Sequence, residues 1–180
     1  MARQPNRSIA KRTKRVPKMF RRGTKRRVSA QTGLAGEYHV LAQLAERGYV
    51  GALTLGHTKG VDILVTNPRS GDMRQIEVKT SRRKLTRHLL FGPKPFHVWI
   101  MNAKHETKSD PSLVYCFVRL GALGETPKFF LVPSKVVAKY VRWQHRHWLK
   151  VKRGKTSDMR AFRISEHDPD GYRDNWTLLG

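Results

Sequence analysis

A chain of 180 residues is long enough for one domain with its own core, plus a tail. Its 37 Lys/Arg against 13 Asp/Glu leave a net charge of +24, which points to a polyanionic partner, nucleic acid first and an anionic membrane surface second. No apolar run approaches the ~18 residues that span a bilayer, no apolar stretch follows the basic N-terminus as a secretory signal requires, and the lone cysteine, Cys116, excludes an intramolecular disulfide and a multi-cysteine zinc site. The expectation is a reduced, cytoplasmic, nucleic-acid-associated protein with Cys116 as an inert core residue.

Residues 1–28 carry twelve Lys/Arg and no Asp or Glu, which is half of the net charge. With so few apolar groups the segment reads as a disordered basic arm, one that orders only against phosphate backbones. Arg21, Arg22, Lys25, Arg26 and Arg27 are its candidate nucleic-acid contacts. Residues 29–180 read as a single domain. Its first helix is expected from about Thr32 to Gly48, with Leu34, Tyr38, Leu41, Leu44 and Ala45 on the buried stripe.

Strands are expected at 49–55, 61–66 and 73–80, the last two joined by the turn chemistry of "NPRSGD". Further strands follow at 96–102, 112–120 and 128–133. A helix then begins at Ser134 as N-cap, with Val136, Val137, Tyr140, Val141 and Gln144 facing inward. The last thirty residues show little period, although "NWTLL" offers an aromatic anchor. This order of elements implies an α/β or α+β sandwich around a mixed sheet.

Three features suggest chemistry. Glu37 falls inside the apolar stripe of the first helix, where an unpaired carboxylate is costly. Asp62 opens the strand "VDILV". In "QIEVKT", Gln75, Glu77 and Lys79 share one face while Ile76 and Val78 share the other. A tight hairpin would bring Asp62 near Glu77. Carboxylates converging beside a lysine suit a hard divalent ion such as Mg²⁺, which polarises a phosphodiester and activates a bound water. Each residue also has a plain explanation: Glu77–Lys79 as a surface ion pair, Asp62 as a turn acceptor after Gly60, Glu37 as a solvated helix position.

Taken together, "GLAGEYHVLAQLAERGYV", "GVDILV" and "QIEVKT" resemble the PD-(D/E)XK nuclease superfamily, whose restriction-endonuclease-like fold is shared by archaeal Holliday-junction resolvases. The resemblance implies a mixed central sheet flanked by helices and a metal-dependent endonuclease acting on DNA. By that resemblance Asp62 and Glu77 would hold Mg²⁺ or Mn²⁺, with the Val78 backbone carbonyl as a further ligand. Glu37 would act through a metal-bound water or a second ion, and Lys79 would position the attacking water. Val61 stands where the family name has proline, and no junction-reading element is evident.

The competing expectation is a non-catalytic nucleic-acid-binding module, RNA- or ribosome-associated. Around the candidate site, His57, Thr58 and Lys59 of a Gly-bounded loop, and Arg82 and Arg83 after the strand, are placed to meet a phosphate backbone. Gln75, Thr80 and Ser81 are supporting candidates. In "KYVRWQHRHWLKVKRGK" cations interleave with Trp143 and Trp148, of which Trp143 is expected to anchor its helix. His145 and His147 lack metal-ligand spacing. Double-strand cleavage calls for two sites, so a homodimer stays open.

Overall fold

The computed structural model describes residues 18–54, 60–152 and 156–180, the side chains of 18–28 excepted. Two α-helices, α1 (Lys18–Glu46) and α2 (Ser134–Val151), flank seven strands: β1 (Val50–Leu53), β2 (Ile63–Thr66), β3 (Met73–Ser81), β4 (Phe96–Asn102), β5 (Leu113–Arg119), β6 (Lys128–Pro133) and β7 (Met159–Ser165). Five of them form one mixed sheet in the order β1-β2-β3-β5-β6. Pairing is antiparallel except between β3 and β5, which run parallel. The connection between those two strands contains β4, which pairs with β7 in a separate antiparallel ribbon. The protein is thus a mixed α/β sandwich.

The two faces of the large sheet carry different cores. Against α1, Val40 and Leu44 pack on Ile63, Val65, Ile76, Val78 and Cys116. Against α2 and the β4–β7 ribbon, Tyr115, Phe117 and Phe130 pack with Trp99, Val137, Val141 and Phe162. Central β5 is buried on both faces, which is why "LVYCFV" is apolar without alternation. Burial raises the Cys116 thiol far above its ordinary range, in keeping with an inert core residue. Trp176 and Leu179 dock on the first core, as the aromatic anchor in "NWTLL" predicts.

Strand positions follow the sequence expectation closely, but the helices depart from it. Helix α1 begins at Lys18, not near Thr32. Lys and Arg are good helix formers, and a helix anchored downstream propagates backwards at little cost. The buried stripe is also rotated. Val40 and Leu44 lie at its centre, while Leu34 and Tyr38 are 47% and 57% exposed.

Pro133, not Ser134, is the N-cap of α2. The Ser134 hydroxyl instead donates to the Asp110 carbonyl (2.6 Å) and accepts from the Asp110 amide (2.9 Å), tying the loop before β5 to the helix. Val136 faces outward, and Ala138 takes the inward place. Strand β7 is an element the sequence did not announce.

Candidate functional site

The site begins with an irregularity in the β2–β3 hairpin. Register pairs Ile63 with Ile76, yet the Asp62 amide also donates to the Ile76 carbonyl, at 2.9 Å. Asp62 and Ile63 therefore share one opposing residue, the arrangement of a β-bulge. The bulge turns Asp62 along the strand edge, where its Oδ2 accepts the Val78 N–H at 2.7 Å. The amide and carbonyl of one strand residue project to the same edge, so the Val78 carbonyl points to the same gap.

Glu77 lies on the opposite face of β3 from Ile76 and Val78, 1% exposed. A buried carboxylate needs compensation. Lys79 Nζ stands 2.8 Å from its Oε1, and Lys108 Nζ donates to its Oε2 at 2.7 Å. Lys108 donates also to the Gly60 carbonyl, bridging β3 to the turn before Asp62. Although Lys79 is close, its direction leaves Glu77 Oε1 without a well-formed hydrogen bond. Burial pushes the Glu77 carboxyl up, but the Lys79 charge and the Lys108 hydrogen bond outweigh it and hold the group down at about 2.

His105 closes the pocket from a 3-10 turn (Ala103–Glu106). Its Nδ1 meets the Tyr115 hydroxyl at 2.8 Å and lies 3.7 Å from Glu77 Oε1. Burial is the largest influence on this ring and, with Lys79, Lys104 and Lys108, overrides the attraction of Glu77, so its pKa falls to about 4. His105 is consequently neutral at pH 7, and its contact with Glu77 is not an ion pair.

Glu37 approaches from α1. It is half-buried, and its pKa is raised by burial first and by the negative charge of Asp62 second, with Lys79 opposing. Its place is secured by the residue before it: a Cβ on Gly36 would overlap the Thr80 side chain, so glycine lets α1 lie directly against β3. Glu37, the next residue along, is half-buried beside that contact, on a helix whose buried stripe is rotated from the expected one. Three of the sequence candidates, Glu37, Asp62 and Lys79, are electrostatic neighbours, and Glu77 joins them through Lys79.

Beyond Lys79 the strand opens onto a cleft of about 690 Å³, with Ser29 and Thr32 of α1 on one wall and Lys79, Arg82 and Arg83 on the other. Arg82 is exposed and donates to the Gly121 carbonyl at 3.0 Å; Arg83 is exposed. His57, Thr58 and Lys59, with the side chains of Arg21, Arg22, Lys25, Arg26 and Arg27, lie outside the described residues. Gln75 pairs with Leu64 and Leu113 in the sheet, further from the cleft than Thr80 and Ser81, which line it.

Sequence reasoning missed Lys108 and His105. Both come from the irregular connection between β4 and β5, where no periodicity marks an inward residue. Among the described residues, no group of three or more His, Cys, Asp or Glu is gathered tightly enough to hold a metal ion.

No protein-family profile and no curated protein matches the chain. Among solved structures, that of a bacterial homing endonuclease is similar at 15% identity, over 82% of this chain and 88% of that one, with a TM-score of 0.48.

Proposed function

We propose that the protein is a metal-dependent endonuclease of the PD-(D/E)XK type, hydrolysing phosphodiester bonds in DNA. The observation that carries this reading is the meeting of Asp62, Glu37 and Lys79 beside buried Glu77, at the mouth of a cationic cleft in a +24 chain. Glu37 and Asp62 repel one another there, a tension that a bound cation relieves.

The ion of this reading is Mg²⁺ or Mn²⁺. Asp62, with the Val78 carbonyl at its edge, and Glu77 would hold the ion, which keeps most of its shell as water and phosphate oxygens. When bound, such an ion supplies Lewis acidity and lowers the pKa of a coordinated water. The chain's own groups do the remaining work. Arg82 and Arg83 attract the backbone into the cleft, and Glu37 accepts a hydrogen bond from a water in the gap. Lys79 orients the attacking water and counters the charge developing on phosphorus.

A second reading has its own observation. Lys79 and Lys108 already neutralise Glu77, as in a structural ion-pair cluster, and that favours a nucleic-acid-binding module without catalysis. Incubation of the purified protein with plasmid, duplex, branched and RNA substrates in Mg²⁺ or Mn²⁺ separates the two. Cleavage that disappears in Asp62→Asn with binding retained supports the nuclease. Binding without cleavage under every divalent ion supports the module.

A further inference from the structure

Helix α2 carries on its outer side an aromatic arrangement that the site does not use. Trp143 is 51% exposed, not the helix anchor that the sequence suggested. One turn on, His147 lies nearly parallel to the indole, at 11° and 5.5 Å between centroids. Phe91, from a 3-10 turn (Leu89–Phe91), stands steeply inclined to both rings, at 6.4 Å and 6.0 Å between centroids. Beneath it the Arg163 guanidinium sits 3.9 Å from the Phe91 centroid, and Tyr140 leans on Trp143 at 5.6 Å. The exposed indole is thus braced from several sides, which lowers the entropy lost when a ligand stacks on it.

We propose that this stripe of α2 is a stacking platform for unpaired bases of single-stranded nucleic acid; the proposal rests on the nucleic-acid part of the function above, not on catalysis. Exposed Lys139, Arg146 and Lys150 stand four residues before, three after and seven after Trp143, so they border the indole on the same helix face. Helix α2 contains no Asp or Glu at all. A ligand for this face must therefore offer a flat π surface together with negative charge, and a nucleotide offers both. A protein partner would need matched acidic and aromatic groups.

Two links lead from the platform to the site. Arg142 donates to the Glu106 carbonyl at 2.6 Å, in the same 3-10 turn that carries His105 to Glu77. Phe91 lies on the segment that continues from Lys79, Arg82 and Arg83. A strand leaving the cleft therefore has a cationic, aromatic surface to follow.

The test is a fluorescence and anisotropy titration of the full chain with a short oligothymidylate and a duplex of equal length. In the wild type the single strand should quench indole emission. Trp143→Ala should weaken single-strand binding about tenfold, the size of one lost stacked base, while leaving duplex binding unchanged. Trp143→Phe should keep most of the affinity and lose most of the quenching. Equal weakening on both ligands, or no weakening, overturns the platform, as does a change of oligomeric state in Trp143→Ala, which would mark this face as a protein contact. A wild type that binds neither ligand overturns the nucleic-acid reading itself; one that binds both, with Trp143→Ala unaltered, overturns the platform alone.

Discussion

Glu77 is the residue on which the account turns, because its carboxylate is buried and yet ionised. Its folded pKa of about 2 lies below the ordinary 4.5. A depressed carboxylate stabilises the fold above the unfolded value, and that stabilisation is lost as pH falls from 4.5 towards 2. Lys108→Met removes one of its two cations, so acid unfolding should begin at higher pH than in the wild type, measured by thermal melts across an acid series. The same variant should bind Mn²⁺ more tightly in calorimetry, since an ammonium held on Oε2 competes for the same oxygen. Unaltered or weaker Mn²⁺ binding would mean that Glu77 is a structural partner of the lysines. His105 and His97 act earlier in the acid range. Each has a folded value of about 4, lowered chiefly by burial from 6.5, so the unfolded chain takes up their protons first. Stability should therefore begin to fall below about pH 6.5, before the carboxylates contribute. Of these residues only Glu77 was legible in the sequence, through its alternation with Ile76 and Val78. Lys108 is 31 positions away in the chain, and only the crossover between β3 and β5 delivers it.

At the scale of elements, the site depends on α1 lying close against β3. Ala at position 36 would gain up to about 1 kcal/mol in helix propensity. Its Cβ, however, would overlap the Thr80 hydroxyl and come within 2.9 Å of both Thr80 Cβ and Cγ2, so rotating Thr80 makes no room. The overlap should win, and Gly36→Ala should cost a net ~1–2 kcal/mol in urea denaturation. The penalty should shrink in a Thr80→Ala background, where the hydroxyl and Cγ2 are gone. An equal penalty in both backgrounds would show that the helix does not rest on Thr80. The strands were readable because each keeps period two or a short apolar run between turn residues. The register of α1 was not. Leu34 and Tyr38 look like core by composition, while the true contact uses Gly36, a residue whose value is the atom it lacks. Strand β7 escaped notice because arginines interrupt it, and Arg163 turns out to stack on Phe91.

For the molecule as a whole, the charge of +24 sets partner class and not fold. Binding to duplex DNA should fall steeply and linearly on a log–log salt scale, the sign of released counterions. A salt-insensitive affinity would place the contacts elsewhere than on phosphates. Composition alone made this expectation legible; whether the carboxylates act on the bound strand is a matter of a few ångströms that composition does not encode. The most direct measurement follows one labelled DNA duplex through both binding and cleavage, with wild type and Glu77→Gln side by side in Mn²⁺. The wild type should cut, and Glu77→Gln should bind with similar affinity but not cut. Equal cutting by both proteins, or binding by both with no cutting at all, would contradict the nuclease reading.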